Sequence, residues 1–230
     1  MVYAAIVAGG TGSRMGADIP KQFLLVSGKP VIIHTISQFV GRVDKIVVAC
    51  HKDYVEHTKN LAEKYGFDVD VIPGGTDRMS SVEAVIDYLL ENGASDEDVI
   101  LTHDGVRPFV TENMINQSIE NARKGHFCTI AVSSTDTVCI STNGKKIDSV
   151  PARKEMFSIQ TPQTFLLGNL KEMLEKCPDA GKFTDLCGLA LAMGYNAYIV
   201  EGSPENIKIT VPADLAVAEA ILEKRNHENR

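Results

Sequence analysis

The chain of 230 residues has no tryptophan, and only 6% of its residues are aromatic. Its five cysteines form no Cys-x-x-Cys pair, which argues against a disulfide framework. No apolar run approaches the 18 residues of a membrane span, and no basic segment precedes an apolar one at the start. We therefore expect a cytoplasmic protein with reduced thiols and no membrane partner.

Positive charge is also scarce, with 23 Lys and Arg against 30 Asp and Glu, a net charge of −7. This balance disfavours a nucleic-acid partner, whose binding surface is normally basic. The chain lacks a Gly-x-Ser-x-Gly elbow, a His-Glu-x-x-His motif and a clustered Cys/His metal site. The polar residues that recur in its motifs are Lys, Arg, Asp and Thr beside Gly. These residues are typical of phosphoryl or nucleotidyl transfer.

Apolar strand-like runs alternate with amphipathic helical stretches. The runs predict strands at Ala4–Val7, Lys45–Ala49, Asp70–Ile72, Val99–Thr102, Thr129–Val132 and Ala197–Val200. Helical spacing follows at Val31–Phe39, Tyr54–Tyr65, Ser81–Glu91, Asn113–Arg123, Leu167–Leu174 and Ala213–Lys224. This order predicts one α/β domain over residues 1–230, with a mostly parallel sheet covered by helices on both faces. Ligands should then bind at the carboxyl ends of the strands.

One segment, residues 137–150, breaks this alternation. Its Asn143-Gly144 pair predicts a hairpin with a type I′ turn, because both residues tolerate positive φ. A protruding β-arm, over about 136–158, needs another surface to cover it, which makes it a candidate dimer contact. A solvated hairpin is the alternative.

The first predicted strand runs into a glycine-rich loop, AGGTGSRMG, which is followed by PKQ. Glycines let backbone N–H groups approach phosphate oxygens, and the cations Arg14 and Lys21 suit a triphosphate. The spacing fits neither a P-loop nor the dinucleotide fingerprint, since Gly16 follows Gly10-x-Gly12 one residue too late. A glycine-rich turn without a ligand is the alternative.

A second glycine-bearing junction, Gly74-Gly75-Thr76-Asp77-Arg78, follows the third predicted strand. Arg78 and Ser81 are three residues apart and can face a nucleobase or phosphate from one side. In the alternative interpretation, Ser80 or Ser81 only caps the helix while Asp77 and Arg78 form a surface pair.

Further candidate residues follow the later strands. Asp104, just past the end of a strand, is placed to bind Mg²⁺ beside a triphosphate, and Arg107 could hold a second anion. We assign His103 no proton-transfer role, because a histidine between strand and loop is more often structural. Lys208 lies between two isoleucines and should have an anionic partner if it points inward.

Arg153 and the segment Thr161-Pro162-Gln163 bracket a possible strand end after the hairpin. Gln163 could serve only to fix a loop around Pro162. Thr184-Asp185 precedes a helical run and predicts either an N-cap or a ligand contact.

Taken together, the motifs resemble one family. AGGTGSRMG…PKQ, GGTDRMSSV, HDGVRPF, DTV, QTPQTF, FTD and ENIKIT…DLAVAEA occur in the order seen in cytidylyltransferases that activate polyol phosphates. The resemblance covers nearly the whole chain, from Tyr3 to Leu222. It implies a Rossmann-like nucleotidyltransferase fold, a homodimer joined by the β-arm, and Mg²⁺ as cofactor. CTP and a small polyol phosphate are the implied substrates.

The resemblance also implies residue roles. The acceptor phosphate would attack the α-phosphorus of CTP without a general base, since it is already ionised, and Arg14, Lys21 and Lys208 would neutralise the developing charge. Asp104 would bind Mg²⁺. CTP would be held by Ala8, Gly9, Gly10, Gly12, Gly75, Asp77, Arg78 and Ser81, and the polyol phosphate by Arg107, Thr137, Arg153, Thr161, Thr184 and Lys208.

Two branches of the family are possible. Ala8-Gly9-Gly10, the segment 102–109 and the segment 153–157 look more like enzymes that use D-ribitol 5-phosphate, which we favour. Arg78-x-x-Ser81-Val82 and Glu201-Gly202-Ser203 are also similar to enzymes that use 2-C-methyl-D-erythritol 4-phosphate for isoprenoid precursors. An NAD(P)-dependent oxidoreductase and a catalytically silent nucleotide-binding module are alternatives from other classes, but neither predicts the later Asp, Arg and Lys motifs.

Overall fold

The computed structural model describes residues 1–10, 16, 19–177 and 179–228. Its strands are β1 (Val2–Ala8), β2 (Leu25–Val26), β3 (Lys29–Pro30), β4 (Lys45–Cys50), β5 (Asp70–Pro73), β6 (Val99–Asp104), β7 (Phe127–Ser133), β8 (Phe157–Leu166) and β9 (Ala197–Glu201). The α-helices are α1 (Val31–Ser37), α2 (Val55–Lys64), α3 (Arg78–Glu91), α4 (Glu112–Ala122), α5 (Leu167–Lys176), α6 (Leu186–Ala192) and α7 (Pro212–Glu228). Among these residues, none of the helices combines the length and apolar character needed to cross a bilayer.

Seven strands form one sheet in the order β5-β4-β1-β6-β8-β7-β9. All its neighbours pair in parallel except β8, which is antiparallel to both β6 and β7. Alternate strand residues feed two cores: Ile32 of α1 and Ile115 of α4 pack on one face, and Val85 of α3 and Leu170 of α5 pack on the other. The predicted mostly parallel sheet with helices on both faces is confirmed.

Strand β8 is the main addition to the predicted elements, which indicated only a strand end in this region. It carries the buried polar residues Gln160, Thr161 and Gln163 together with Pro162, which cannot donate a ladder hydrogen bond. Its register against β7 shifts between Thr129 and Ala131, and such an irregularity accommodates a proline inside a strand. Hydrophobic alternation therefore gave no sign of this strand.

The predicted hairpin at 137–150 is an open arm held by a single β-bridge between Ile140 and Ser149. The prediction of a type I′ turn was wrong, because Gly144 has φ +69° while Asn143 is not among the positive-φ residues described. Instead, Asn143 Oδ1 accepts the main-chain N–H groups of Lys145 and Lys146, at 2.9 and 3.0 Å. This local side-chain hydrogen bonding competes with a regular ladder.

Candidate active site

A cleft opens at the carboxyl ends of β1, β5 and β6, as the strand order predicts. The described residues that line it are Val7, Ala8, Gly9, Gly10, Lys21, Gln22, Gly75, Thr76, Asp77, Arg78, Ser81, Asp104, Val106 and Lys208. All three predicted motif clusters, from the first loop, the second glycine junction and the end of β6, therefore meet in one place. Of the predicted phosphate-binding residues, Gly12 and Arg14 lie outside the described residues.

Asp104, at the end of β6, gathers three cations. Its Oδ1 lies 3.4 Å from Arg78 Nε, and its Oδ2 lies 3.2 Å from Arg107 Nε and 3.0 Å from Lys208 Nζ. Burial raises the pKa of Asp104, but Arg78, Lys208 and Arg107 outweigh this effect and hold the pKa well below its usual range. The carboxylate is thus ionised, and the expectation that Lys208 has an anionic partner is confirmed.

The Arg78 guanidinium is the most informative group in the cleft. Its Nη1 and Nη2 atoms are buried, and the described residues give neither a hydrogen-bond partner. A buried donor without a partner costs about 1–3 kcal/mol, so such atoms beside a cleft indicate a missing acceptor. Anionic oxygens of a ligand would satisfy them.

The second glycine junction is built around the start of α3. Asp77 caps the helix by accepting the Ser80 N–H at 2.9 Å, while Ser81 Oγ accepts the Gly75 N–H at 3.1 Å. Ser80 and the hydrogen bonds of this cap lower the pKa of Asp77. The cap is therefore Asp77 rather than Ser80 or Ser81, and Arg78 turns inward instead of forming a surface pair.

Lys21 lies in a short helical turn, Lys21–Phe23, that is bonded to the end of β1 and to the segment before α7. Lys21 Nζ donates to the Ile209 carbonyl oxygen at 3.0 Å, and the buried Gln22 Nε2 donates to the Ala8 carbonyl oxygen at 2.8 Å. These bonds place Lys21 in the cleft lining together with Gly9 and Gly10. Burial raises the pKa of Asp214, and the positive charge of Lys21 is one of the effects that lower it.

Arg107 is held by Asn206, a residue for which the sequence predicted no role. Arg107 Nη1 donates to the Asn206 carbonyl oxygen at 2.8 Å, and Asn206 Nδ2 donates to the Thr161 carbonyl oxygen at 3.0 Å. Asn206 is fully buried. Its signal in the sequence was only its place two residues before Lys208.

His103 is fully buried, and burial lowers its pKa to about 4. Its Nε2 lies 3.0 Å from the Arg107 carbonyl oxygen, and its Nδ1 lies 3.0 Å from Thr161 Oγ1. The interpretation of His103 as a hydrogen-bonded structural residue is confirmed. Thr161, predicted to bind substrate, uses its hydroxyl for this bond and for the Asp104 N–H at 3.1 Å.

Three residues predicted to bind the polyol phosphate do not line the cleft of their own chain. Thr137 and Arg153 are exposed on the arm, and Thr184 is exposed just before α6. Asp185 caps α6 by accepting the Gly188 N–H at 2.9 Å, so the N-cap interpretation is confirmed. Gln163 Nε2 donates to Asp185 at 3.2 Å, so Gln163 ties β8 to α6 instead of fixing a loop around Pro162.

Comparisons with known proteins agree with this geometry. The chain is 40% identical over 234 residues to ribitol-5-phosphate cytidylyltransferase of Lactiplantibacillus plantarum, which covers 98% of this chain and 100% of that protein. The solved 4-diphosphocytidyl-2C-methyl-D-erythritol synthase of Anaerococcus prevotii superposes with a TM-score of 0.82, at 31% identity and 96% coverage of each chain. The 2-C-methyl-D-erythritol 4-phosphate cytidylyltransferase of Francisella tularensis superposes with a TM-score of 0.78, at 29% identity, covering 95% of this chain and 98% of that one.

These similarities confirm the expected nucleotidyltransferase fold and enzyme class. The sequence model of one family, 2-C-methyl-D-erythritol 4-phosphate cytidylyltransferase, matches residues 2–224. With the cleft, its cations and nearly full-length relatives in agreement, the chain belongs to this cytidylyltransferase family.

Proposed function

We propose that the chain transfers the cytidylyl group of CTP to D-ribitol 5-phosphate, giving CDP-ribitol and pyrophosphate. The observation that carries the proposal is the Arg78 guanidinium, whose two buried Nη atoms find no partner among the described residues at the cleft. A polyanionic ligand satisfies them. The choice of acceptor rests on the similarity to the Lactiplantibacillus plantarum ribitol-5-phosphate cytidylyltransferase, which aligns with 98% of the chain.

In the proposed reaction, an ionised oxygen of the acceptor phosphate attacks the α-phosphorus of CTP. A new phosphorus–oxygen bond forms, the bond to the β-phosphate bridging oxygen breaks, and pyrophosphate leaves. No proton has to be removed, which agrees with the state of His103, whose imidazole is buried and hydrogen-bonded on both nitrogens. Lys21, Arg14 and Lys208 stabilise the charge that develops during transfer.

Asp104 is the residue proposed to hold Mg²⁺. Within the described part of the chain, no three His, Cys, Asp or Glu side chains form a cation site. Mg²⁺ is commonly held by one or two carboxylates together with substrate phosphates, so one ionised Asp104 fits the ion when a nucleotide is present. When bound, the ion would neutralise phosphate charge.

We also propose a homodimer in which the arm completes the acceptor site of the partner. The arm exposes the apolar side chains of Val138, Ile140, Ile147 and Val150, and such a patch is typical of an interface. It also carries Thr137 and Arg153, which lie away from the cleft of their own chain. Mixing Lys21→Ala with Arg153→Ala protein should restore about a quarter of wild-type activity, because half the dimers are mixed and each has one intact site. No recovery would contradict the shared site.

The second candidate acceptor is 2-C-methyl-D-erythritol 4-phosphate, which the family match and the solved neighbours favour. Pyrophosphate release from CTP and Mg²⁺ with each acceptor in separate reactions decides between them. We expect turnover with D-ribitol 5-phosphate and little with the branched acceptor. The reverse preference would replace the acceptor, and CTP binding without turnover of either would contradict the proposed activity.

A further inference from the structure

A chain of hydrogen bonds runs beneath the cleft through the His103 ring. Asp104 N–H lies 3.1 Å from Thr161 Oγ1, and that hydroxyl lies 3.0 Å from His103 Nδ1. On the other side of the ring, His103 Nε2 lies 3.0 Å from the Arg107 carbonyl oxygen. The ring therefore joins both ends of the 104–107 loop, directly and through β8.

The direction of every bond in this chain is determined by chemistry. Full burial of His103 disfavours a charged imidazolium, so the ring is neutral and carries one proton. A main-chain N–H only donates, so Thr161 Oγ1 accepts from Asp104. A carbonyl oxygen only accepts, so His103 Nε2 carries the ring proton and donates it to Arg107. In this neutral ring Nδ1 has no proton and accepts that of Thr161 Oγ1, so the Nε2–H tautomer satisfies all three bonds.

The loop fixed in this way carries the Asp104 carboxylate and the Arg107 guanidinium. Gly105 N–H donates to the Val7 carbonyl oxygen at 2.9 Å, and Arg107 N–H donates to Asp104 O at 3.0 Å, so the loop also contacts β1 and closes on itself. A Cβ on Gly105 would lie 2.9 Å from Ala8 Cβ, which leaves the loop no room to shift in that direction. His103 adds to these contacts the bond that fixes the Arg107 carbonyl oxygen.

We propose that His103 is a positioning residue for the acceptor phosphate: through its Nε2–H bond to the Arg107 carbonyl oxygen, it holds the Arg107 guanidinium in place for the acceptor. This inference rests on the proposed function. Small displacements of a charged group from its productive position cost about 10–100-fold in activity. The effect should fall on the acceptor, since Arg107 is not among the residues proposed to hold CTP.

Two substitutions separate the halves of the network. In His103→Gln, the amide NH₂ can replace Nε2–H and keep the bond to Arg107. In His103→Asn, the shorter amide can keep a bond to Thr161 but loses the one to Arg107. His34→Gln is a matched control, because His34 Nε2 also lies 2.8 Å from a main-chain oxygen, that of Val26, and His34 is absent from the described lining of the cleft.

The kinetic test compares KM for each substrate with kcat in these three variants. We expect His103→Asn to raise KM for the polyol phosphate about 10-fold or more, with KM for CTP nearly unchanged. His103→Gln and His34→Gln should stay close to wild type in both. Equal losses in His103→Asn and His103→Gln, or a lower kcat with unchanged KM values, would mean a purely structural role and overturn the proposal.

Nitrogen-15 NMR of histidine-labelled protein tests the network without any activity. We expect His103 to show the Nε2–H tautomer in wild type at neutral pH, and a changed Nδ1 signal in Thr161→Val. A ring protonated at Nδ1, or a mixture of tautomers, would overturn the proposal. Wild-type protein that shows the expected tautomer but no turnover would refute the proposed function and leave the network established.

Discussion

Arg78 Nε lies 3.4 Å from Asp104 Oδ1, which joins the first residue of α3 to the last residue of β6. The contact uses only one nitrogen of the guanidinium and leaves both buried Nη atoms without a hydrogen-bond partner among the described residues. Asp104 therefore orients Arg78 while sparing the donors that a ligand would use. The first prediction follows from this difference between Nε, which pairs with Asp104, and the two Nη atoms, which have no partner among the described residues.

Replacing Arg78 with lysine should weaken CTP binding by about 10-fold or more. Lysine keeps the charge but offers a single ammonium in place of the planar guanidinium, so it cannot both pair with Asp104 and bind phosphate in the same way. Isothermal titration with CTP and Mg²⁺ measures the effect. Thr76→Ala, on the wall of the same cleft, is the neighbouring control. An unchanged CTP affinity in Arg78→Lys would show that the Nη atoms do not contact the nucleotide.

Two glycines of the cleft should respond differently to alanine. A Cβ on Gly75 would collide with Ser80 Oγ and Cβ and lie 2.8 Å from the Ser80 main-chain carbon. Among the described residues, a Cβ on Gly9 would meet only Ser81 Oγ, at 3.8 Å. Overpacking of this kind costs about 1–3 kcal/mol. Gly75→Ala should therefore raise KM for CTP and lower the melting temperature.

Gly9→Ala is the matched variant and should have nearly wild-type stability, because its Cβ makes only an ordinary contact with a described atom. If Gly75→Ala proved as harmless as Gly9→Ala, the glycine junction would not set the shape of the nucleotide site.

Lys21→Ala should lower turnover roughly 10²–10³-fold, the scale of losing one preorganised charge-stabilising group. The bond from Lys21 Nζ to the Ile209 carbonyl oxygen holds the ammonium beside the glycine loop before substrate arrives. Steady-state kinetics with circular dichroism as a folding control checks this prediction. Near-wild-type turnover would remove Lys21 from the catalytic group.

Stability should fall as the pH drops from about 6.5 to about 4. Burial lowers the pKa of His103 to about 4, whereas an unfolded histidine titrates near 6.5. Between these values the unfolded chain binds a proton that the native protein does not, so the free energy of unfolding rises with pH. Across this pH range, His103 should change the free energy of unfolding by on the order of 3 kcal/mol.

Urea unfolding of metal-free protein at pH 7.5 and pH 5 measures this dependence. His103→Gln should lose less stability than wild type between the two values, because it has no imidazole to protonate. The same loss in both proteins would assign the pH dependence to other groups.

Most of the sheet and its helices could be predicted from hydrophobic periodicity, because β1, β4 and β6 are apolar runs between turn signals. Strand β8 could not, since its buried polar residues make their hydrogen bonds to distant partners: Gln163 to Asp185 of the α6 cap, and Gln160 to Ser203. Such partners are set by the tertiary fold and leave no local pattern.

The site shows the same difference between local and distant signals. Lys208 between two isoleucines predicted its own anionic partner, and glycine loops predicted the cleft. The hydrogen-bond partners of His103 and Asn206 come together only when β6, β8 and the segment before α7 are assembled. The sequence therefore indicated a structural role for His103 but not its partners, and no role for Asn206. The exposed Thr137 and Arg153 can meet a cleft only across the proposed dimer, which a single chain does not contain.

The central claim concerns the acceptor, and a competition reaction tests it most directly. CTP and Mg²⁺ are incubated with equal amounts of D-ribitol 5-phosphate and 2-C-methyl-D-erythritol 4-phosphate, and the two CDP products are quantified by mass spectrometry at low conversion. Their ratio is the ratio of the two kcat/KM values. We predict that CDP-ribitol dominates by about 10-fold or more, a margin that one set of pocket contacts can provide. A dominant CDP-methylerythritol product would contradict the proposed function.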